Sequence, residues 1–208
     1  MNPGNSRILT CPFCGAEKEV LSLLSGNTFG AKVWSDNKRE APMLPRVSFV
    51  QKCPQCSKYY IMSRQEVRYA KDGYSFKLGT LNYREMVDAF NQLEAEGFKD
   101  IDEELNVRIL LFHAYNDMFR NDNNPIDEVN ESDKNLFQKN TLWLIENWTK
   151  DDVLRAELYR EIGEMEKANT LLENVNTDKD FLIKIENEMI KRININDTKV
   201  FEITPLLN

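Results

Sequence analysis

The spacing of apolar residues along this chain changes character near residue 80. Upstream they fall in four short runs: Arg7-Ile-Leu-Thr10, Val20-Leu-Ser-Leu-Leu24, Ser48-Phe-Val-Gln-Lys52 and Tyr59-Tyr-Ile-Met62. Short runs with β-branched or aromatic residues, bounded by turn residues, predict strands, here two hairpins. The connection between them, from Ser25-Gly-Asn to Leu44-Pro45, carries Gly and Pro residues that argue against a helix. A connection of this length in a compact domain is commonly functional. Phe29 and Trp34 within it are expected to tuck against the small β-module, with an exposed partner-binding role as the alternative. A basic connector (Arg64, Arg68, Lys71, Lys77) with a turn at Asp72-Gly73 follows.

Downstream the period is that of amphipathic helices. Asn82, with Glu85 three residues on, predicts the start of a helix that carries Met86, Phe90 and Leu93 and ends near Gly97. Asp100 and Glu103 start a second, with Leu105, Ile109 and Phe112 beside Leu110, Ala114 and Met118 on a wide apolar face. Asn121-Asp-Asn-Asn-Pro125 is expected to break it. A third runs from Asp133 to Trp148. Thr149 with Asp152 reads as the capping box of a fourth, Val153 to Ile162, closed by Gly163. Met165 to Val175 makes a fifth, and Thr177 with Asp180 caps a sixth that reaches Arg192. The tail, Lys199-Val-Phe-Glu-Ile203, reads as a lone strand with no evident partner.

Length and charge refine this picture. A chain of 208 residues exceeds the usual single domain. With 41% hydrophobic residues it can build packed cores and is not a disordered protein. No apolar run approaches the ~20 residues of a membrane helix. The first residues, Met1 to Arg7, lack the apolar stretch of a signal peptide, so a cytoplasmic protein with no membrane partner is expected. The net charge of −7 divides into +6 over residues 1–80 and −13 over 81–208. Such asymmetry hints at partners and supports two domains, 1–80 and 81–208.

The chemistry concentrates in four cysteines, Cys11-Pro-Phe-Cys14-Gly and Cys53-Pro-Gln-Cys56-Ser, which are all the chain has. A two-residue gap lets a tight turn aim both sulfurs at one ion, so the duplicated pair predicts one structural four-thiolate site. Proline after the first cysteine presets φ for the turn, and Gly15 tolerates the positive φ on leaving it; Ser57 replaces that glycine in the second copy. Zinc is the expected metal, and a tetrahedral sulfur cage suits iron as well. A dithiol redox pair would need a helix N-terminus to lower its pKa, whereas these cysteines sit between strands. A structural zinc supplies roughly 10–16 kcal/mol of folding free energy, against about 2–4 for a disulfide. With so small an apolar core, the β-module needs the stabilisation that only a metal provides.

With these knuckles, residues 7–62 resemble zinc ribbons, although the 38 residues between Cys14 and Cys53 exceed the usual separation and imply an insertion. The resemblance implies a metal but no particular partner. Further on, Leu154-Arg-Ala-Glu-Leu-Tyr-Arg-Glu-Ile-Gly163-Glu-Met-Glu-Lys-Ala168-Asn-Thr-Leu-Leu172 resembles the core of a tetratricopeptide repeat. Leu158, Tyr159, Gly163 and Ala168 take that family's packing and bend positions, and the match covers about one repeat. It implies an antiparallel array of helical hairpins offering a groove to peptides or proteins. The fold class expected is therefore α+β: a small β zinc ribbon, then an all-α, repeat-like domain.

Catalysis finds little support. The single histidine, His113, lies mid-helix with Asp117 one turn later and reads as a hydrogen-bonded structural residue. There is no phosphate-cradling glycine loop, no His-Glu-x-x-His and no dinucleotide fingerprint. The expectation is a non-enzymatic interaction protein that contacts a protein partner through the helical groove or the Phe29–Trp34 loop. The alternative is a nucleic-acid- or ribosome-associated factor. Phe29, Trp34, Tyr59, Tyr60, Tyr69, Tyr74 and Phe76 interleave with Lys and Arg as in surfaces that stack bases and pair phosphates. Against it, most of those aromatics fall where the hairpins need core.

Overall fold

A computed structural model describes residues 1–120 and 129–207; the expected helix break at 121–125 lies outside them. The architecture is α+β. The strands are β1 (Asn2–Pro3), β2 (Arg7–Thr10), β3 (Glu17–Val20), β4 (Leu23–Ser25), β5 (Lys32–Val33), β6 (Arg39–Glu40), β7 (Val50–Lys52), β8 (Tyr59–Ile61) and β9 (Arg68–Tyr69). The helices are α1 (Tyr83–Glu96), α2 (Ile101–Asn116), α3 (Glu131–Asn147), α4 (Asp152–Glu161), α5 (Met165–Glu173) and α6 (Asp180–Asn194). The chain divides into two compact units: Met1–Ala31 with Glu40–Leu111, and Lys32–Arg39 with Phe112–Asn208. The change of apolar pattern near residue 80 falls inside the first of these.

In the first unit β2 and β3 pair antiparallel from Arg7↔Val20 to Thr10↔Glu17, and β7 pairs with β8 from Val50↔Ile61 to Lys52↔Tyr59. The apolar run 20–24 splits: Val20 ends β3, while Leu23 turns away to pair with Pro3 of β1. Strand β9 adds to the free edge of β2 through Arg7↔Tyr69 and Ile8↔Arg68. Leu9, Val20 and Tyr60 bury together with Cys11 and Cys53, so the apolar core is continuous with the sulfur cluster.

Helix α1 begins where the sequence places it. Asn82 accepts from the Glu85 amide at 3.0 Å, and Glu85 returns a bond to the Asn82 amide, the reciprocal pair of a capping box. Its buried face, Tyr83, Met86, Ala89, Phe90 and Leu93, has helical period, and α1 packs on β8. Gln92 on α1 accepts from the Tyr59 amide at 3.1 Å and donates to the Tyr59 carbonyl at 2.8 Å, as a neighbouring strand would. Asp100 caps α2 through the Glu103 amide at 2.8 Å.

In the second unit α4 and α5 form a helical hairpin. Gly163, at φ +83°, makes the bend, and Ala156 and Ala168 are fully buried where the pair meets α6 and the tail. The cap of α4 is Asp151, whose carboxylate accepts from the Leu154 amide at 2.8 Å; Thr149 instead accepts from Asp151 and shapes the turn before it. Thr177 likewise accepts from Lys179, and α6 starts at Asp180 without a side-chain cap. Phe137 of α3 stacks on Phe112 at 5.4 Å and on Tyr115 at 3.9 Å.

The tail finds its partner in the long connection between the knuckles. Ile203 donates to the Val33 carbonyl at 2.8 Å, Ser35 donates to the Phe201 carbonyl at 2.8 Å, and Trp34 bridges Glu202. Buried Arg160 fixes the segment before it, donating to the carbonyls of Asp197 and Lys199, the latter at 2.9 Å.

Candidate metal centre

The two knuckles are copies of one local geometry. Cys11 donates its amide to Ala16 at 2.8 Å and accepts from Gly15 at 3.0 Å; Cys53 donates to Lys58 at 2.8 Å and accepts from Ser57 at 3.2 Å. Gly15 leaves the first turn at φ +75° and Ser57 leaves the second at φ +60°. Ser57 therefore holds the left-handed conformation without glycine's freedom, at about 1–2 kcal/mol.

Each hairpin carries its cysteine pair at the tip, and the four sulfurs all lie within 4.8 Å of one another. Cys11 Sγ is 3.7 Å from Cys56 Sγ, and Cys14 Sγ is 3.5 Å from Cys53 Sγ. A disulfide needs about 2.05 Å, so these are free thiols. Four sulfurs on a tetrahedron with 2.3 Å bonds to a central ion stand roughly 3.8 Å apart. The cluster therefore fits one four-coordinate ion with no open position.

Electrostatics divide the sulfurs. Burial raises the pKa of Cys53, but amide bonds from Cys56 and Gln55, both 3.4 Å from Sγ, outweigh it and bring the thiol down to about 6. At Cys14 the Ala16 amide works downward, yet burial and the other three sulfurs push it up to about 12. A divalent cation at the centre removes that mutual repulsion, and its ligands are thiolates. Tyr60, behind the cluster, is pushed up to about 12 by burial and then by the sulfurs' charge. Of the nearby lysines, Lys18 donates to the Lys52 carbonyl at 3.3 Å, Lys52 pairs with Glu85 at 2.9 Å, and Lys58 lies 4.6 Å from the Phe13 ring centre.

Compared with known proteins, the chain matches no family model, no curated protein and no solved structure. Its own residues must carry the functional reading. Among the described residues no helix is long and apolar enough to cross a membrane.

The two aromatics of the long connection part company. Phe29 is 81% exposed in the first unit. Trp34 is only 4% exposed and packs in the second unit, its ring 4.8 Å from the Arg120 guanidinium. Trp34 is thus part of the second unit's core. Tyr59 and Tyr60 are buried, whereas Tyr69, in the edge strand β9, and Tyr74 and Phe76 beyond it are exposed.

Sequence reasoning missed a buried polar node in the second unit. Asp36, fully buried, accepts from Arg120 through both oxygens, from Asn116 at 3.0 Å and from the Lys38 amide at 3.1 Å. His113 meets this node and not Asp117: Nε2 lies 3.2 Å from the Asp36 carbonyl, and burial lowers its pKa and keeps it neutral. Asp117 pairs with Lys38 at 2.5 Å and Arg120 at 2.7 Å. The only local signal was the turn chemistry of Ser35-Asp36-Asn37.

Proposed function

We propose that this protein is a non-enzymatic, zinc-stabilised interaction protein of the cytoplasm that recognises a protein partner through its first unit. Zinc is the choice for a closed tetrahedral cage of four thiolates, since it needs no redox partner and favours this ligand set. The observation that carries the interaction reading is exposed apolar surface in a unit whose core is otherwise closed. Leu24 is 73% exposed, Phe29 81%, Tyr74 61% and Phe76 57%. Large side chains of this kind mark binding surfaces when they are not scattered singly, and Tyr74 and Phe76 stand in edge contact at 5.3 Å. The α4–α5 hairpin is read as one tetratricopeptide-like unit, supported by the small residues at its packing face and the glycine at its bend.

One observation favours a second reading, nucleic acid. Tyr69, Tyr74 and Phe76 alternate along the chain with Arg68, Lys71 and Lys77, all exposed. Exposed aromatics among cations suit stacking on bases and pairing with phosphates.

Elemental analysis of freshly purified protein is expected to find one zinc per chain; iron in its place would overturn the metal assignment. For the partner, intact protein and the variants Phe29→Ser and Tyr74→Ser/Phe76→Ser are used as baits in cytosolic extract. A protein enriched by the intact chain and lost with a variant supports the interaction reading. Identical capture by all three baits, or none, defeats it. Retention of single-stranded RNA that falls steeply between low and moderate salt selects the second reading instead.

A further inference from the structure

The second unit holds a cavity of about 490 Å³, within the range that takes small organic ligands. Its wall combines the aromatic rings of Tyr115, Phe119 and Phe137 with the polar side chains of Asn116 and Glu161. Neither the metal cluster nor the exposed aromatic surface of the first unit contributes to it.

Glu161 is the telling residue. It is 5% exposed, and its Oε2 accepts from Asn116 Nδ2 at 2.8 Å, while Oε1 is buried with no hydrogen-bond partner among the described residues. Buried polar atoms in folded proteins nearly always find a partner, so an orphan carboxyl oxygen on a residue that lines a cavity calls for a polar partner inside it.

The charges around Glu161 say which partner. On its own helix, Glu157 is matched by Arg160, with bonds of 2.6 and 2.8 Å. From the 34–38 turn, Asp36 is matched by Arg120. On α2, Asn116 has both amide hydrogens committed, to Asp36 and Glu161, and His113 is neutral. Tyr115 of α2 and Asp133 of α3 complete the inner side, and in the tail Asp197 pairs with Arg192 at 2.6 Å. Asp36 and Glu157 thus have one guanidinium each, whereas Glu161 makes no ion pair among the described residues. Burial first, then the charges of Glu157 and Asp36, push its pKa well above the carboxylate range, so it is held as the neutral acid. Lys134 and Lys199, which also line the cavity, are exposed, and Lys134 lies 3.6 Å from Glu131, so their field at the buried carboxyl is weakened by water.

We propose that this cavity binds a small organic cation, its ammonium or guanidinium group on Oε1 of Glu161 and an aromatic or aliphatic body against Tyr115, Phe119 and Phe137. The ligand supplies the missing positive charge, and the ring faces add cation–π attraction. On binding, the O–H bond of Glu161 breaks, its proton passes to solvent, and the carboxylate left behind pairs with the ligand, which stays protonated.

The test is calorimetric titration of the full-length protein at pH 7 with phenethylammonium. Its neutral and anionic isosteres, 2-phenylethanol and 3-phenylpropionate, serve as comparisons. Titration in two buffers of different ionisation enthalpy counts the protons released. The ammonium is expected to bind with release of about one proton, and each isostere about tenfold or more weakly. Glu161→Gln, which keeps the acceptor for Asn116, is expected to lose about tenfold or more in ammonium affinity with unchanged circular dichroism. No binding of the ammonium at millimolar concentration, binding without proton release, or equal binding of an isostere would overturn the proposal. Proton release is read on the unmodified protein, so the test stands even if the variant misfolds. Neither readout depends on the metal or on any protein partner, so failure here leaves the functional reading above intact.

Discussion

Replacing Asp36 with alanine gives the sharpest test of the second unit. The carboxylate is fully buried, and the substitution removes both contacts to Arg120, the 3.0 Å bond from Asn116 and the 3.1 Å bond from the Lys38 amide. What remains is a guanidinium that is 2% exposed, with Asp117 as its surviving carboxylate. Breaking a buried ion pair by deleting one partner costs about 3–5 kcal/mol. Asp117 retains part of the compensation, so the lower end, about 3 kcal/mol, is expected. Against a total stability of about 5–15 kcal/mol this is a large fraction. The assay is urea unfolding followed by tryptophan fluorescence. All three tryptophans, Trp34, Trp143 and Trp148, lie in the second unit, so emission reports that unit alone. With m near 1–3 kcal/mol/M the midpoint should fall by about 1–3 M. The pH dependence has a definite sign. Burial works to raise the pKa of Asp36, but the electrostatic pull of His113 and of the Arg120 guanidinium, with the hydrogen bonds from Arg120 and Asn116, prevails and holds it low. Its contribution is therefore present above about pH 4, the unfolded value, and is lost as pH falls through the folded value. The variant should lack that part of acid unfolding. A loss under about 1 kcal/mol at pH 7 would show that the 32–39 segment is not anchored by this node.

Three further outcomes are expected. Cys53→Ser should abolish stoichiometric zinc and unfold the first unit, while far-UV helical signal from α3 to α6 persists; full zinc content, or simultaneous loss of all helical signal, contradicts this. Gly79→Ala should destabilise the first unit by about 1–3 kcal/mol. Gly79 sits at φ +67° and an added Cβ would overlap the fully buried Gln51, which is bonded to Ser48 at 2.7 Å. Unchanged hydrogen exchange at residues 48–52 would refute it. Glu161→Gln should become increasingly favourable relative to the parent as pH rises. A carboxyl whose folded pKa is raised contributes fully below its unfolded value and loses about 1.4 kcal/mol per pH unit above it until the folded value is reached. The same stability difference at pH 4 and pH 7 would show that Glu161 is not held neutral.

Local features were legible in the sequence because local chemistry determines them. The Asn82–Glu85 capping box, the glycine bends at Gly97 and Gly163 and the paired cysteine turns each depend on residues within four positions of one another. Strand β9 was not legible: Arg68 and Tyr69 are both exposed, so no alternation of apolar and polar positions marks it. Nor was the tail's partner, since the bond from Phe201 to Ser35 spans 166 residues and neither segment has a pattern that names the other. The caps expected at Thr149 and Thr177 fail for one shared reason. Each hydroxyl stands three residues before its helix and accepts from the amide two residues on, within the turn, rather than from an amide of the helix itself. The burial of Trp34 followed from its size, but the unit it joins did not.

The anomalous distance between the knuckles has a physical explanation in the same residues. A ribbon could be closed by a much shorter connection than the 38 residues between Cys14 and Cys53. Doubling a flexible connection costs only about 0.6 kcal/mol in loop entropy. The excursion leaves the first unit after Ala31 and returns at Glu40, and in between it delivers Trp34, Ser35 and Asp36 to the second. Asp36 meets a buried guanidinium there that would otherwise keep only Asp117 as its partner, a difference of about 3 kcal/mol. Ser35 and Val33 supply the backbone partners that the tail strand needs. The gain exceeds the closure cost several-fold, so the insertion is a structural part of the second unit carried on the ribbon's chain.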